Sequence, residues 1–320
     1  MPDVSVVIST YNRADSLRDT LQSLVGQNAN GCRYEVIVVD NHSKDHTKKT
    51  VQDFAAKSPW PICYVYEPQQ GVSYARNTGI RKAAGAVIAF TDDDVVTDPE
   101  WVQSLWRCFQ ETDASAVGGR IERLWHCQKP EWFSDEIGGS LIHQDLGTER
   151  RKWSWPNRHT VGANIAFRRE VFERFGFFRE DLGRCGESLV GGEDREMFQR
   201  LMKRGCPIYY EPRALVRHKV EKHRLSQDYM RRWYWHIGET LGHGMEWRWH
   251  HAVTVAPLWV WKEMVRAVIR KANARVPAER FASEMWVRHH GAMLKERLAH
   301  WLPFGLGSRW CAFEEKGKRS

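Results

Sequence analysis

Residues 86–101, AVIAFTDDDVVTDPEW, run from an apolar stretch straight into three consecutive aspartates, Asp92, Asp93 and Asp94. Neighbouring like charges repel, so a fold that keeps such a cluster must bring positive charge to meet it. The apolar part, Ala86–Asp92, predicts a buried strand with acids at its end. The part after it predicts a helix start, with Asp98 as N-cap, Pro99 in the first helical position and Glu100 in the first turn. If Asp98 caps that helix, the triplet has no capping duty left. Hard divalent cations such as Mg2+ and Mn2+ take carboxylate oxygens and share them with substrate phosphates. Two aspartates one residue apart at a strand end can point to the same side. The competing reading is an acidic loop that caps the helix after it.

The neighbouring sequence repeats the pattern. VSVVIST (Val4–Thr10), YEVIVVD (Tyr34–Asp40) and ICYVYE (Ile62–Glu67) read as short buried strands. Between them lie a helical pattern with Leu17, Leu21 and Leu24 on one face, the polar loop DNHSKD, and the loop and helix GVSYARNTGIRKA. Continuous apolar strands alternating with helices predict an α/β fold with a mostly parallel sheet. Ligands bind such sheets beyond the carboxyl ends of the strands. Thr10-Tyr11-Asn12, Asp40 and Asp92–Asp94 all fall at those ends and are expected to face one crevice. No GxGxxG or GxxxxGK[ST] follows a strand, so both glycine-rich phosphate cradles are missing.

After about residue 115 the pattern changes. SAVGGRIE, VGANIAF (Val161–Phe167), PIYYEP and ALVRHKV read as further strands, and an aromatic, irregular stretch separates the first two. GGEDREMFQRLMKRG reads as a helix start with acids in its first turn and Lys203 and Arg204 in its last, as the helix dipole favours. From about Leu225 the signal is helical. Each polar residue of interest also has a plain structural reading. Asp40 could cap a helix, and Arg76 and Asn77 could be a solvated helix face. Glu193-Asp194 could be first-turn acids or could include a general base. His218 could be a satisfied core histidine or a metal ligand.

The 320 residues are 42% hydrophobic and 28% charged, a globular composition. Seven scattered cysteines without a CxxC pair predict reduced thiols in a cytoplasmic protein, with no disulfide framework and no zinc site. The first strand signal begins almost at Met1, which leaves no room for a signal peptide. Charge is uneven. Residues 201–320 carry 23 Lys+Arg against 11 Asp+Glu, net +12, and residues 1–200 carry 25 against 29, net −4. Nine of the 16 tryptophans lie in the basic stretch. Two regions are therefore expected, residues 1–223 and a helical, basic, Trp-rich 224–320.

Taken in order, VSVVISTYNRADSLRDTLQSL, YEVIVVDNHSKD, GVSYARNTGI, IAFTDDDV, VGANIAF and GGEDREM resemble family 2 glycosyltransferases of the GT-A fold, over roughly residues 3–220. The resemblance implies that Thr10, Tyr11, Asn12, Arg13 and Asp40 hold the nucleotide, with Arg76 near the nucleotide or diphosphate. The family's DxD motif maps to Asp92, toward the ribose, and Asp94, toward a divalent metal, with Asp93 a further contact. Gly162, Ala163 and Asn164 would line the donor-sugar and acceptor side. Asp194, next to Glu193, would be the catalytic base, and His218 a late metal ligand. The implied reaction is metal-dependent, inverting transfer from a nucleotide-diphosphate sugar, UDP by family habit, to a hydroxyl of a glycan or lipid-linked acceptor, with Mn2+ or Mg2+ as cofactor. The processive members' QxxRW is absent, since QDYMRRW sets Gln227 too far from Arg232-Trp233.

In the tail, the uncharged stretch Trp249–Trp261 is too short to span a bilayer. WKEMVRAVIRKANAR places Trp261, Met264, Val265, Val268 and Ile269 at helical spacing among cations, as in a helix lying on an anionic membrane surface. The same faces could pack on the catalytic region or in a homo-oligomer. Peripheral attachment to the inner face of the cell membrane is one expectation, and no nucleic-acid partner is expected, since the basic residues interleave with apolar faces. A non-catalytic sugar-nucleotide or glycan-binding protein of the same fold is the alternative function. A nucleotidyltransferase would show a glycine-rich basic loop where STYNRADS stands.

Overall fold

A computed structural model describes residues 1–153, 161–186, 191–243 and 256–301. The chain divides into two compact units. The first comprises Met1–Gln128, Leu141–Gly186 and Gly192–Lys222; the second comprises Lys129–Ser140, Glu187–Gly191 and His223–Ser320.

In the first unit, β1 (Val4–Thr10), α1 (Ala14–Val25), β2 (Tyr34–Asp40), α2 (Thr47–Ala55), β3 (Ile62–Tyr66), α3 (Val72–Lys82) and β4 (Val87–Asp92) form the alternating half. Then follow β5 (Val95–Thr97), α4 (Trp101–Glu111), β6 (Ala116–Trp125), β7 (Arg151–Lys152), β8 (Asn164–Arg168), α5 (Arg169–Phe175), α6 (Glu193–Lys203) and β9 (Ile208–Val220). Strand order is β3-β2-β1-β4-β8-β6-β9-β5, with β7 paired to β9. The pairs among β1 to β4 are all parallel, as helical crossovers require. The rest is mixed: β8 runs antiparallel to both β4 and β6, β9 runs parallel to β6, and β5 and β7 run antiparallel to β9. The sheet is thus mixed rather than mostly parallel, and the change comes where the helix-strand alternation in the sequence stops.

Two local expectations are corrected. PIYYEP and ALVRHKV form one strand, β9, and the break between them is a bulge: Gly119 of β6 faces Glu211 and Arg120 faces Leu215. Pro212 sits in that bulge, where a missing N–H costs no ladder bond. Helix α4 starts at Trp101, so Asp98 is not its N-cap. The Asp98 N–H is committed to the Leu215 carbonyl (2.9 Å), and its Oδ1 accepts the Glu100 N–H (3.2 Å) in a turn before the helix.

Both faces of the sheet are buried. Val4, Val6, Ile8, Val36 and Val38 pack with Leu17, Leu21 and Leu24 of α1 on one side. Val7, Ile37, Val39, Phe90, Ile165 and Phe167 form the core on the other. This double burial explains the unbroken apolar runs. In the second unit, α7 (Gln227–His243), α8 (Leu258–Asn273) and α9 (Pro277–Trp301) surround Met230, Tyr234, Val260, Met285 and Met293. Within it, Trp132 lies edge-on to Phe281 and the Trp286 indole donates to Glu136 (2.9 Å). No helix among the described residues is long and apolar enough to cross a membrane. Residues 249–255 of the uncharged tail stretch lie outside the described residues.

Candidate active site

The aspartate triplet sits where β4 turns into β5, and Arg13 is one cation that meets it from within the chain. Its guanidinium stands 3.4 Å from Asp93, 3.2 Å from Asp94 and in hydrogen-bond contact with Glu221. Burial opposes the arginine's charge, but Asp93, Asp94, Glu221 and Asp92 together hold it protonated above the ordinary guanidinium value. Thr10 donates its hydroxyl to Asp93 Oδ2 (2.8 Å). Burial pushes the Asp93 carboxyl up to about 7; Arg13 opposes the rise, Asp94 and Asp92 add to it, and the Thr10 bond opposes it. Arg13 thus turns its side chain to the acids of β4. Glu221, one residue past the end of β9, was not anticipated, although an acid at a strand end is the signal that marked Asp40 and Asp92.

At the neighbouring strand ends, Asp40 is buried, accepting the Tyr64 hydroxyl and the Ser43 N–H, each at 2.8 Å. Asn12 has a left-handed backbone (φ 51°), which asparagine tolerates. It receives the Lys44 N–H (2.7 Å) and gives its own N–H to Ser43 (2.9 Å), tying the loop after β1 to the loop after β2. Tyr11 between them is half-buried. Asn41 binds the carbonyl of Gln69 (2.6 Å) and the N–H of Gly71 (2.7 Å), which fixes the start of α3 beside these loops.

Helix α3 carries Arg76 inward. This buried guanidinium bonds Glu193 (2.7 Å), stands 3.7 Å from Asp92, and lies 5.5 Å from the Phe178 ring centroid. It therefore links the triplet to the Glu193-Asp194 pair. Burial acts against its charge, while Glu193, Asp92 and Asp194 keep it firmly protonated. Burial raises the Glu193 carboxyl, Asp194 adds to the rise, and Arg76 opposes it. Gly162 is needed for this packing: a Cβ there would lie 2.2 Å from Arg76 Nη2. Asp194, half-buried in the first turn of α6, accepts the Gly162 N–H at its Oδ2 (2.9 Å).

The other two residues of that stretch turn away from the crevice. Ala163 is buried and its carbonyl accepts the Thr91 hydroxyl (3.0 Å). Asn164 is fully buried; its amide donates to the carbonyls of Arg120 and Ala214 (2.8 Å each) and its oxygen accepts the Trp101 indole N–H (2.9 Å). The structure does not put this side chain on a donor or acceptor surface. It locks β8 to β6, β9 and α4.

Strand pairing decides the position of His218. Val95 of β5 lies opposite His218 of β9, so the imidazole reaches the triplet from across the sheet, with Nε2 3.2 Å from Asp94 Oδ1. Asp92, Asp94 and His218 offer ligand atoms within 4.8 Å of one another. The donor set fits a divalent ion: two hard carboxylate oxygens and an imidazole, as Mn2+ accepts. His218 is buried, yet its Nδ1 has no hydrogen-bond partner among the described residues, which is costly for an imidazole. Six carboxyls (Asp92, Asp93, Asp94, Glu193, Asp194 and Glu221) gather around the guanidiniums of Arg13 and Arg76, and Arg184 and Arg195 act on Glu193 and Asp194 as well.

A half-parallel sheet with paired acids at the carboxyl ends of its strands, joined to an acid on a following helix, has the architecture of a GT-A glycosyltransferase. The family model for glycosyl transferase family 2 matches residues 5–176. The chain belongs to that family, and it is a glycosyltransferase. It is 30% identical to a glucosyl-dolichyl phosphate glucuronosyltransferase of Haloferax volcanii, over 71% of this chain and 72% of that protein. It is 27% identical to the succinoglycan biosynthesis protein ExoM of Rhizobium meliloti, over 79% and 81%. Among solved structures, a mannosyltransferase from Pyrobaculum calidifontis in complex with GDP-Man and Mn2+ covers 92% of this chain and 87% of its own, with a TM-score of 0.61 and 19% identity. TarS of S. aureus, residues 1–349, covers 93% and 91% with a TM-score of 0.54 and 16% identity. At those identities the two structures speak to the fold.

Proposed function

We propose that the chain transfers a sugar, with inversion, from a nucleoside-diphosphate donor to a hydroxyl of a glycan or lipid-linked acceptor, in a reaction that depends on a divalent metal. Residues 1–223 form the catalytic part and 224–320 an accessory helical part. The observation that carries the reading is the convergence of Asp92, Asp94 and His218, linked through Arg76 to Glu193 and Asp194. Thr10, Tyr11, Asn12, Arg13 and Asp40 form the nucleotide end of the site, and Gly162 borders the acceptor side. UDP is the favoured nucleotide.

Asp194 is the base. Its Oδ2 is oriented by the Gly162 N–H and its carboxylate stands in the first turn of α6. It removes the proton from the acceptor hydroxyl as that oxygen attacks the anomeric carbon, and the nucleoside diphosphate departs from the opposite face. One base and one displacement give inversion. Arg76 faces the departing diphosphate as a fixed positive charge, and Glu193 holds Arg76 in place. A divalent cation held by Asp92, Asp94 and His218 would supply Lewis-acid stabilisation of charge on the leaving group.

The test is Asp194→Asn. It should retain the thermal shift produced by a nucleoside diphosphate with Mn2+ and lose sugar transfer across a panel of sugar nucleotides. Transfer at the wild-type rate would remove Asp194 from the mechanism, and a retained anomeric configuration in the product would remove inversion.

A further inference from the structure

Helix α8 has three faces. Val260 and Ala267 are buried in the second unit. Opposite them, Leu258, Trp261, Val265, Val268 and Ile269 are 70%, 37%, 53%, 50% and 54% exposed. At 3.6 residues per turn these five side chains and Ala272 fall on one arc roughly 100° wide. Lys262, Arg266 and Arg270 follow one another at four-residue spacing along one edge of that arc, and Arg270 also pairs with Glu136 (3.2 Å); Lys271 lies nearer the buried face. A helix that merely closed a core would turn its apolar stripe inward and leave its outer face polar. Here a second apolar stripe points outward, and cations line one of its edges.

We infer that this outer stripe of α8 docks on an anionic lipid surface, with Leu258, Trp261, Val265 and Ile269 entering the interfacial region and Lys262 and Arg266 lying against the headgroups. Charge selects this occupant. The helix contains four cations and one acid, Glu263, which already pairs with Arg266 (2.5 Å). A second copy packed stripe to stripe would set cations against cations with no free acid on the helix to answer them. A layer of anionic headgroups complements that cationic edge. Trp259 and Trp261, 51% and 37% exposed at the start of the helix, are the side chains that favour a bilayer interface. The inference is independent of the donor or acceptor proposed for the crevice.

The experiment is flotation of the full chain with vesicles of phosphatidylcholine alone or mixed with phosphatidylglycerol. The wild type should float with the mixed vesicles and stay behind with the neutral ones, and salt should release it. The double variant Val265→Glu/Ile269→Glu should lose binding roughly tenfold or more, and Lys262→Gln/Arg266→Gln by roughly tenfold. Both should keep the wild-type melting temperature and sugar-nucleotide hydrolysis in solution, because these side chains are exposed. Equal recovery of wild type and Val265→Glu/Ile269→Glu with anionic vesicles would overturn the inference. So would a wild type that ignores the vesicles but sediments as a dimer that the same variant splits, which would assign the face to a second copy.

Discussion

Asn164→Ala separates a role in the fold from a role in the crevice. The side chain makes three buried hydrogen bonds, to the carbonyls of Arg120 and Ala214 and from the indole of Trp101. Alanine leaves all three groups unmet. Water cannot easily replace the amide, because the surroundings are tight: a Cβ on Gly119 would lie 2.1 Å from the Ala214 carbonyl and 2.3 Å from Asn164 itself. A buried polar group left unmade costs about 1–3 kcal/mol, so the variant should lose about 3–5 kcal/mol after some relaxation. For a unit of this size that is a fall of roughly 10 °C in melting temperature. Trp101→Phe, which removes only one of the three bonds, should lose about 1–2 kcal/mol. The assay is thermal unfolding alongside sugar transfer measured well below the transition. Transfer per folded molecule should be close to wild type. An Asn164→Ala protein with an unchanged melting temperature and no transfer would refute this reasoning and return the side chain to the acceptor side.

Gly162→Ala should keep the fold but displace the Arg76 guanidinium, and transfer should fall roughly tenfold or more, since a displaced charge stabilises the leaving group poorly; a normal rate with wild-type KM would show that Arg76 has slack. In chelator, stability should fall between about pH 4 and pH 7 through Asp93. Its carboxyl ordinarily titrates near 3.8 but is pushed up to about 7 in the folded chain, so its contribution is fully present below about 3.8 and lost as pH rises through 7. Melting curves of Asp93→Asn should lack that slope. Mn2+ added to chelated protein should raise the melting temperature, and His218→Ala and Asp94→Asn should each abolish most of the rise without preventing folding; an undiminished rise in both would place the ion elsewhere.

Much of this molecule is readable residue by residue. The apolar runs of β1, β2 and β4 are unbroken because both faces of the sheet are covered, and acids or polar residues at the ends of such runs mark the ligand side of the sheet. Asp40 and the triplet were accessible on that basis, and Glu193-Asp194 as acids in the first turn of a helix. The family resemblance rests on the same segments, and it also names His218.

What needed the tertiary structure is everything that depends on which strands become neighbours. His218 reaches Asp94 because β9 pairs with β5 across more than a hundred residues of chain, and no local pattern encodes that register. Arg13 follows β1 closely enough to suggest a nucleotide contact, but its partners Asp93, Asp94 and Glu221 come from three-dimensional proximity. Asn164 lies in a stretch that resembles a substrate-lining motif, and only its burial under Trp101 shows the side chain facing the core. The same holds for α8: its periodicity shows that an amphipathic helix forms, while packing decides that Val260 and Ala267 are covered and the stripe of Val265 and Ile269 is left outside. Period and charge are local properties of a chain, so sequence alone determined the apolar strands β1 to β4, the run of helices and the acidic strand ends, but not β5, β7 or the single strand β9. Register and facing arise from contacts between distant segments, and the folded structure alone decided those.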